Sequence, residues 1–384
     1  MGAIETSPDR FIPVFDLEVT RSDLDAVAET LRSGWLTMGP RTREFESEFA
    51  GMLGCEHAVA VSSCTAALHL AYLAAGVGRD DEVIVPSYTM AATAAAVLYA
   101  GGTPVFADIV SLDEPVIDIA HVEALINPRT RAVVAMHFGG YPAAVDDLAD
   151  LCAARGVALI EDAAHSPMAS LGGKSLGTFG LAGAFSFFSN KVLAAGEGGL
   201  LTTDDPDVAA FARSRRSHAM TRGSWDRYVG GPDEYDVPGL GFNYRFDEPR
   251  AALLLSRLRR LEDDIARRRM LTQRYRRLLE DLPGLIVPFS DEAVATSSCY
   301  VMPVMLEDAS RQARLRIALR EEHRIQTSLF YPAVHEFTAY RARFPEVSLP
   351  KTERAARSEV TLPLYSHMTE ADQDRVVAAL VEEL

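Results

Sequence analysis

The stretch Arg131–Asp162, RAVVAMHFGGYPAAVDDLADLCAARGVALIED, reads as one β-α-β unit. The strand expected over Arg131–Phe138 carries the unbroken apolar run AVVAM (132–136), which does not alternate, the pattern of a strand covered on both faces. A helix is expected over Asp146–Arg155. Val157–Ile160 is the returning strand, and it ends in Glu161-Asp162. The same order extends outward on both sides. Val83–Val85 reads as a strand, Met90–Ala100 as an Ala-rich helix, Pro104–Ala107 as a strand and Ile119–Ile126 as a helix. Ala184–Phe188 and Leu200–Thr203 read as two further strands. Repeated β-α-β units predict an α/β fold built on a large, mostly parallel sheet.

After about Arg250 the texture changes. RLRRLEDDIARRRMLTQRYRRLL predicts a long Arg-rich helix to about Leu279. A smaller α+β portion follows, with a strand over Tyr300–Leu306, a helix over Arg311–Glu322, a strand over Ile325–Phe330 and a last helix from Glu370. Two domains are expected. Residues 1–250 form the larger, whose first residues are free to pack on the smaller, and residues 251–384 form the smaller, with the long helix as a bridge.

Composition narrows the function classes. With 38 basic against 54 acidic residues the net charge is −16, a field that repels nucleic acid and anionic membranes. The opening MGAIETSPDR has no apolar core of a secretory signal, and the apolar run Met90–Ala100 is too short for a membrane span. Cys55, Cys64, Cys152 and Cys299 have neither paired nor metal-like spacing, so reduced thiols in a cytoplasmic protein are expected. Gly173-Lys174-Ser175 looks like the end of a phosphate loop, but Met168 stands where that loop needs glycine. No G-x-G-x-x-G opens a helix.

In open α/β sheets, ligands gather beyond the carboxyl ends of the strands. Asp162 lies at such an end. Lys191 follows the next strand, between the apolar FSFFSN run and the flexible AAGEGG segment. Neighbouring strands bring both side chains to one rim of the sheet. An acid and a desolvated lysine are what pyridoxal phosphate (PLP) chemistry requires. The acid keeps the pyridine nitrogen protonated, and the lysine holds the cofactor and moves the proton. Ser62-Ser63-Cys64-Thr65 stands between the strand Val59–Val61 and the helical AALHLAYLAA, a helix start able to take a phosphate dianion.

These residues belong to a longer pattern. GWLTMGP (34–40), SSCTAALHLA (62–71), DEVIVPSYTMAAT (81–93), TPVFADI (103–109), IEDAAHSPMA (160–169), AFSFFSNK (184–191), GEGGLLTT (196–203) and GFNYRFDEPRAAL (241–253) together resemble the DegT/DnrJ/EryC1/StrS sugar aminotransferases. The resemblance implies an aspartate aminotransferase-like fold. It places Lys191 at the Schiff-base lysine, Asp162 at the pyridinium partner and His165 at the ring oxygen. Ser63, Cys64, Thr65 and Ser186 fall at the phosphate. Asn243 falls at a phosphate contact donated by a neighbouring subunit, which implies a homodimer with shared active sites. Cys64 replaces a glycine usual in the family, and Met90 replaces the usual aromatic ring stacked on the cofactor. Trp35, Tyr331 and His335 are candidate substrate-side residues.

The implied reaction is amination of a ketone on a nucleotide-linked 4-keto-6-deoxyhexose, with glutamate as donor. TAAL (65–68) and His165 resemble enzymes acting at sugar C4 more than those acting at C3. A cyclitol ketone is the alternative substrate. PLP-dependent dehydratases of this resemblance carry histidine in place of Lys191, and a non-catalytic sensory protein would lack the lysine. An anionic nucleotide needs a local basic cluster in this acidic chain, and Arg213, Arg215, Arg216, Arg222 and Arg227 are the candidates.

Overall fold

The computed structural model describes residues 10–384. The expectations made on the opening segment fall in part on Met1–Asp9, outside the described residues. No helix among the described residues is long and apolar enough to cross a membrane.

The main sheet has seven strands: β1 (His57–Val61), β2 (Glu82–Pro86), β3 (Thr103–Ala107), β4 (Thr130–Met136), β5 (Ala158–Asp162), β8 (Ala182–Ser186) and β9 (Gly199–Thr203). Between β5 and β8 lies a two-residue hairpin, β6 (Ser170–Leu171) with β7 (Lys174–Ser175). The spatial order of the seven is β1-β9-β8-β5-β4-β2-β3. All run parallel except β9, which is antiparallel to both neighbours. The reason lies in the connection. A parallel return needs a crossover of a dozen or more residues, usually through a helix. Residues 187–198 form no helix, so the chain turns straight back. That direct return is the segment carrying Lys191.

Helices cover both faces, which is why the strands are apolar on both sides. After α1 (Arg21–Ser33) and α2 (Pro40–Leu53), α3 (Cys64–Ala74) and α4 (Ala91–Tyr99) pack on one face with Val59, Val83, Val85 and Ile160 in a continuous core. On the other, Val122 of α5 (Ile119–Leu125) and Val145, Leu148 and Cys152 of α6 (Val145–Arg155) share a core with Ile84, Val133 and Leu159. The long arginine-rich segment is two helices, Glu248–Leu258 and Leu261–Leu279, not one. They part at Arg259-Arg260, where Arg260 reaches back to Asp23 at 2.9 and 3.0 Å. Glu262, Asp263 and Asp264 then occupy the first turn of the second helix, where its dipole favours negative charge.

A second sheet packs beyond the main one, with strand order Leu285–Ile286, Met302–Leu306, Glu359–Leu362, antiparallel throughout. The strand expected over Ile325–Phe330 does not form. Its backbone is shared between two neighbours. Gln326 N–H donates to Ile12 at 2.9 Å, whereas Ser328 exchanges bonds of 3.0 and 3.1 Å with Thr361. Neither neighbour offers a continuous ladder. Ile12 itself is fully buried in the core beneath this second sheet.

Candidate active site

Asp162 ends β5 and Ser186 ends β8, next to it in the sheet. A cavity of about 480 Å³ opens at this rim. Asp162, His165, Ser186 and Lys191 line it, together with Ser63, Cys64, Thr65, Met90 and Tyr331. Nine residues expected to act together from widely separated segments thus share one space.

Asp162 is buried. Its carboxylate accepts from the Thr93 hydroxyl at 2.7 Å and from Ala164 N–H at 3.2 Å. Burial pushes its pKa up. The Thr93 bond, the Ala164 bond and the positive charge of Lys191 pull the other way. Lys191 is displaced in the opposite sense. Burial lowers its amine to about 8, against weaker support from Cys64 and Asp162. Its Nζ lies 4.4 Å from the centre of the Tyr300 ring. An acid and an amine that burial drives toward neutrality, in one cavity, is an arrangement for proton work.

His165 is held by two bonds that fix its tautomer. Gly139 N–H donates to Nδ1 at 3.2 Å, so the proton sits on Nε2, which faces the Tyr331 hydroxyl at 2.8 Å. Burial keeps the ring neutral, reinforced by the nearby charges of Lys191 and His137. Beneath it, Glu161 accepts from the N–H groups of Gly177, Phe179 and Gly180 at 2.6–3.1 Å and pairs with His137 Nε2 at 3.1 Å. This network pins the end of β5.

At the other end of the cavity stands the N-terminus of α3. Ser63 caps it, its hydroxyl accepting from Ala66 N–H at 3.1 Å. Cys64 is the first helical residue, in an ordinary helical backbone, so a side chain there meets no conformational obstacle. Gly199 of β9 packs directly beneath. A Cβ on it would lie 2.2 Å from the Ser63 carbonyl carbon and 2.4 Å from Cys64 N. The pieces fit PLP: helix N–H groups for a phosphate, a buried carboxylate for a ring nitrogen and an amine in the same space.

Not every expected residue is there. Asn243 lies outside the cavity of its own chain, bridged to Ser217. Trp35 packs on Trp225 and Tyr228, with ring centres 4.9 and 4.5 Å apart. His335 is a correction. It is buried away from the cavity, its Nδ1 2.7 Å from the Ser87 hydroxyl and its Nε2 3.4 Å from Glu353, tying its loop to the end of β2.

The arginine cluster is also corrected. Arg216 is buried and ion-paired with Glu46, and it donates to the Ala60 carbonyl at 2.7 Å. Arg213 reaches the Ala58 carbonyl and Arg215 the Leu240 carbonyl. Arg222 is exposed, and Arg227 lies over Tyr235 at 4.8 Å. Arg216→Ala leaves Glu46 as an uncompensated buried charge. It is expected to cost about 3–5 kcal/mol in a denaturant titration while leaving Michaelis constants unchanged.

Two site residues were not singled out from sequence. Thr93 was within reach, as a lone hydroxyl in the first turn of an Ala-rich helix. Tyr300 had no local signal, because its place depends on how the second sheet docks on the first.

The family pattern of the DegT/DnrJ/EryC1/StrS aminotransferases matches residues 18–381. The chain is 38% identical over 379 residues to the spore coat polysaccharide biosynthesis protein SpsC of Bacillus subtilis (strain 168), covering 97% of each. Among solved structures it is similar to the aminotransferase TlmJ from Streptoalloteichus hindustanus, with a TM-score of 0.90, 35% identity and coverage of 97% of this chain and 99% of that one. It is also similar to DesI, whose structure was determined in the presence of its TDP-sugar product, with a TM-score of 0.86, 34% identity and coverage of 97% and 93%. The chain therefore belongs to the DegT/DnrJ/EryC1/StrS aminotransferase family, and it is a PLP-dependent transaminase.

Proposed function

We propose that the chain transfers an amino group from L-glutamate to the keto carbon of a nucleotide-linked 4-keto-6-deoxyhexose, as a homodimer with shared active sites. One observation carries the reading: Lys191 and Asp162 line the same cavity at the rim of the sheet. When bound, PLP supplies an electron sink for charge that builds up on a substrate carbon. The chain's own residues do the rest. With its amine near 8, Lys191 exists in both forms at neutral pH, and Nζ can take a proton from the donor's carbon and return it. Asp162 holds negative charge against the ring nitrogen. Tyr331 accepts from His165 Nε2, which leaves the phenol's own proton free to turn toward an oxygen in the cavity. The start of α3 offers N–H groups and its dipole to a phosphate.

The nucleotide sugar is supported by the TDP-sugar product of DesI. The glutamate donor rests on the family resemblance alone, because the second cavity of about 240 Å³ against Lys191 sets Arg257, Arg260 and Arg268 against Asp16, Glu18 and Asp264, and Arg257 and Arg260 already pair with Asp23. A panel of nucleotide keto-sugars and inososes, offered with glutamate and glutamine and read by mass, tests both assignments. Amination of an inosose alone overturns the sugar. Arg222 and Arg227 are the remaining candidates for the diphosphate, so replacing both is expected to raise the Michaelis constant for the nucleotide sugar about tenfold, with the donor's constant unchanged.

The shared site is supported by Asn243 lying outside its own chain's cavity and by apolar side chains left open, among them Leu240 at 88% exposure. Mixing Lys191→Ala with Asn243→Asp subunits is expected to restore activity. Each mixed dimer then carries both lesions in one site and an intact second site. No recovery after verified exchange removes the shared arrangement.

A further inference from the structure

The reactive amine needs somewhere to stand when it is not joined to the cofactor. Lys191 lines the cavity, and among the described residues no protein acceptor lies within hydrogen-bond distance of its Nζ. What faces it is the Tyr300 ring, 4.4 Å to the centroid. That ring is fully buried and held firmly. Its backbone N–H donates to Gly139 at 2.9 Å, and the imidazole of His165 packs on it at 4.3 Å between centres. Phe15 stacks on it at 5.7 Å, and Phe330 meets it edge-on at 5.8 Å. The phenol oxygen, in contrast, is buried without a partner. The face of Tyr300 is used and its hydroxyl is not.

We propose that the Tyr300 ring face is the resting place of the Lys191 ε-ammonium between the two half-reactions, which makes Tyr300 a positioning residue acting through its π-face. A cation over an aromatic face out of water is stabilised by the ring's quadrupole, which favours the protonated amine against the burial that disfavours it. The other titratable groups lining this cavity with the amine are Asp162 from β5, Cys64 from α3, and His165, Glu197 and Tyr331 from the loops. Asp16, Glu18, Asp264, Arg257, Arg260 and Arg268 lie on the side of the second cavity. The proposal rests on Lys191 being the cofactor's lysine, and the test separates the two.

The chain has only three lysines, Lys174, Lys191 and Lys351, so holoenzyme labelled with ¹³C at lysine Cε gives three signals. Excess donor converts the cofactor to its amine form. The Lys191 signal is expected to move on that conversion, and a signal indifferent to it defeats the lysine assignment itself. In the amine form, wild-type Lys191 is expected to show a ring-current upfield shift, and Tyr300→Phe to keep both that shift and the titration midpoint. Tyr300→Leu, with Tyr300→Met as a second variant that keeps more bulk, is expected to lose the ring-current shift and to titrate about one unit lower. Unchanged Lys174 and Lys351 signals report that the fold is intact. Retention of the shift and midpoint in Tyr300→Leu or Tyr300→Met overturns the proposal. So does Tyr300→Phe behaving like them, because the hydroxyl would then be the working group.

Discussion

Lys191→Met should abolish turnover and, in the same protein freed of cofactor, raise stability. The loss follows from the two tasks proposed for the amine, holding the cofactor and moving the proton. Proton transfer alone contributes on the order of 10²–10⁴-fold, so kcat should fall by at least about 10³, and borohydride should no longer fix the cofactor to the chain. The gain follows from burial. The amine titrates at about 8 in the folded chain against an ordinary 10.5. Below pH 8 both folded and unfolded states are charged, and the folded state bears the full desolvation penalty. Between about 8 and 10.5 the folded amine is neutral while the unfolded one still binds a proton, so the penalty fades as pH rises; above 10.5 it is gone. Methionine, similar in length and uncharged, removes up to about 3 kcal/mol of penalty at pH 7. Denaturant midpoints of the two cofactor-free proteins should therefore differ at pH 7 and converge toward pH 10.5. Normal turnover by Lys191→Met would show that the lysine has been misassigned.

How far this site can be read from sequence depends on what kind of contact each residue makes. Asp162 and Lys191 were legible because strand ends are legible. Unbroken apolar runs mark strands buried on both faces, and the residues just past them lie at the rim. Ser63 was legible because a small polar residue before an apolar helix is a local signature. Tyr300 and the burial of Arg216 were not. Each is decided by which distant segment docks against it, a second sheet in one case and Glu46 of an earlier helix in the other. His335 failed for a related reason. A histidine beside aromatic residues carries no mark saying whether it faces a cavity or, as here, Ser87 and Glu353. The strand expected over 325–330 has strand-like residues but lacks a single partner along its length, and pairing, unlike propensity, is a property of the neighbours.

Asp162→Asn is expected to keep the fold and lose the chemistry, and the hydrogen bonds around the side chain explain why both hold. The carboxylate accepts from Thr93 Oγ1 at 2.7 Å and from Ala164 N–H at 3.2 Å. Asparagine keeps an acceptor for Ala164. Its amide can donate to Thr93 Oγ1, whose own proton turns to Thr89 Oγ1 at 3.0 Å, so no buried polar group is stranded. The charge, however, is gone. Burial raises the pKa of Asp162 in the folded chain, so above pH 3.8 the unfolded acid gives up its proton first. Through that window the folded state loses stability as pH rises, and at neutral pH an ionised Asp162 is a cost to the cofactor-free protein. The neutral isostere should therefore match or exceed the wild type in cofactor-free stability at pH 7, with the difference vanishing below about pH 3.8. That cost is offset only when a positive ring nitrogen sits against the carboxylate. Without the charge, kcat should fall on the order of 10³-fold, the size of effect seen when one electrostatic partner of a developing charge is removed. A cofactor methylated on the ring nitrogen carries its positive charge permanently, so it should restore part of the lost rate in Asp162→Asn and give no benefit to the wild type. If the methylated cofactor leaves the variant as slow as before, Asp162 is only a structural anchor for Thr93 and Ala164, and the ring nitrogen finds its partner elsewhere.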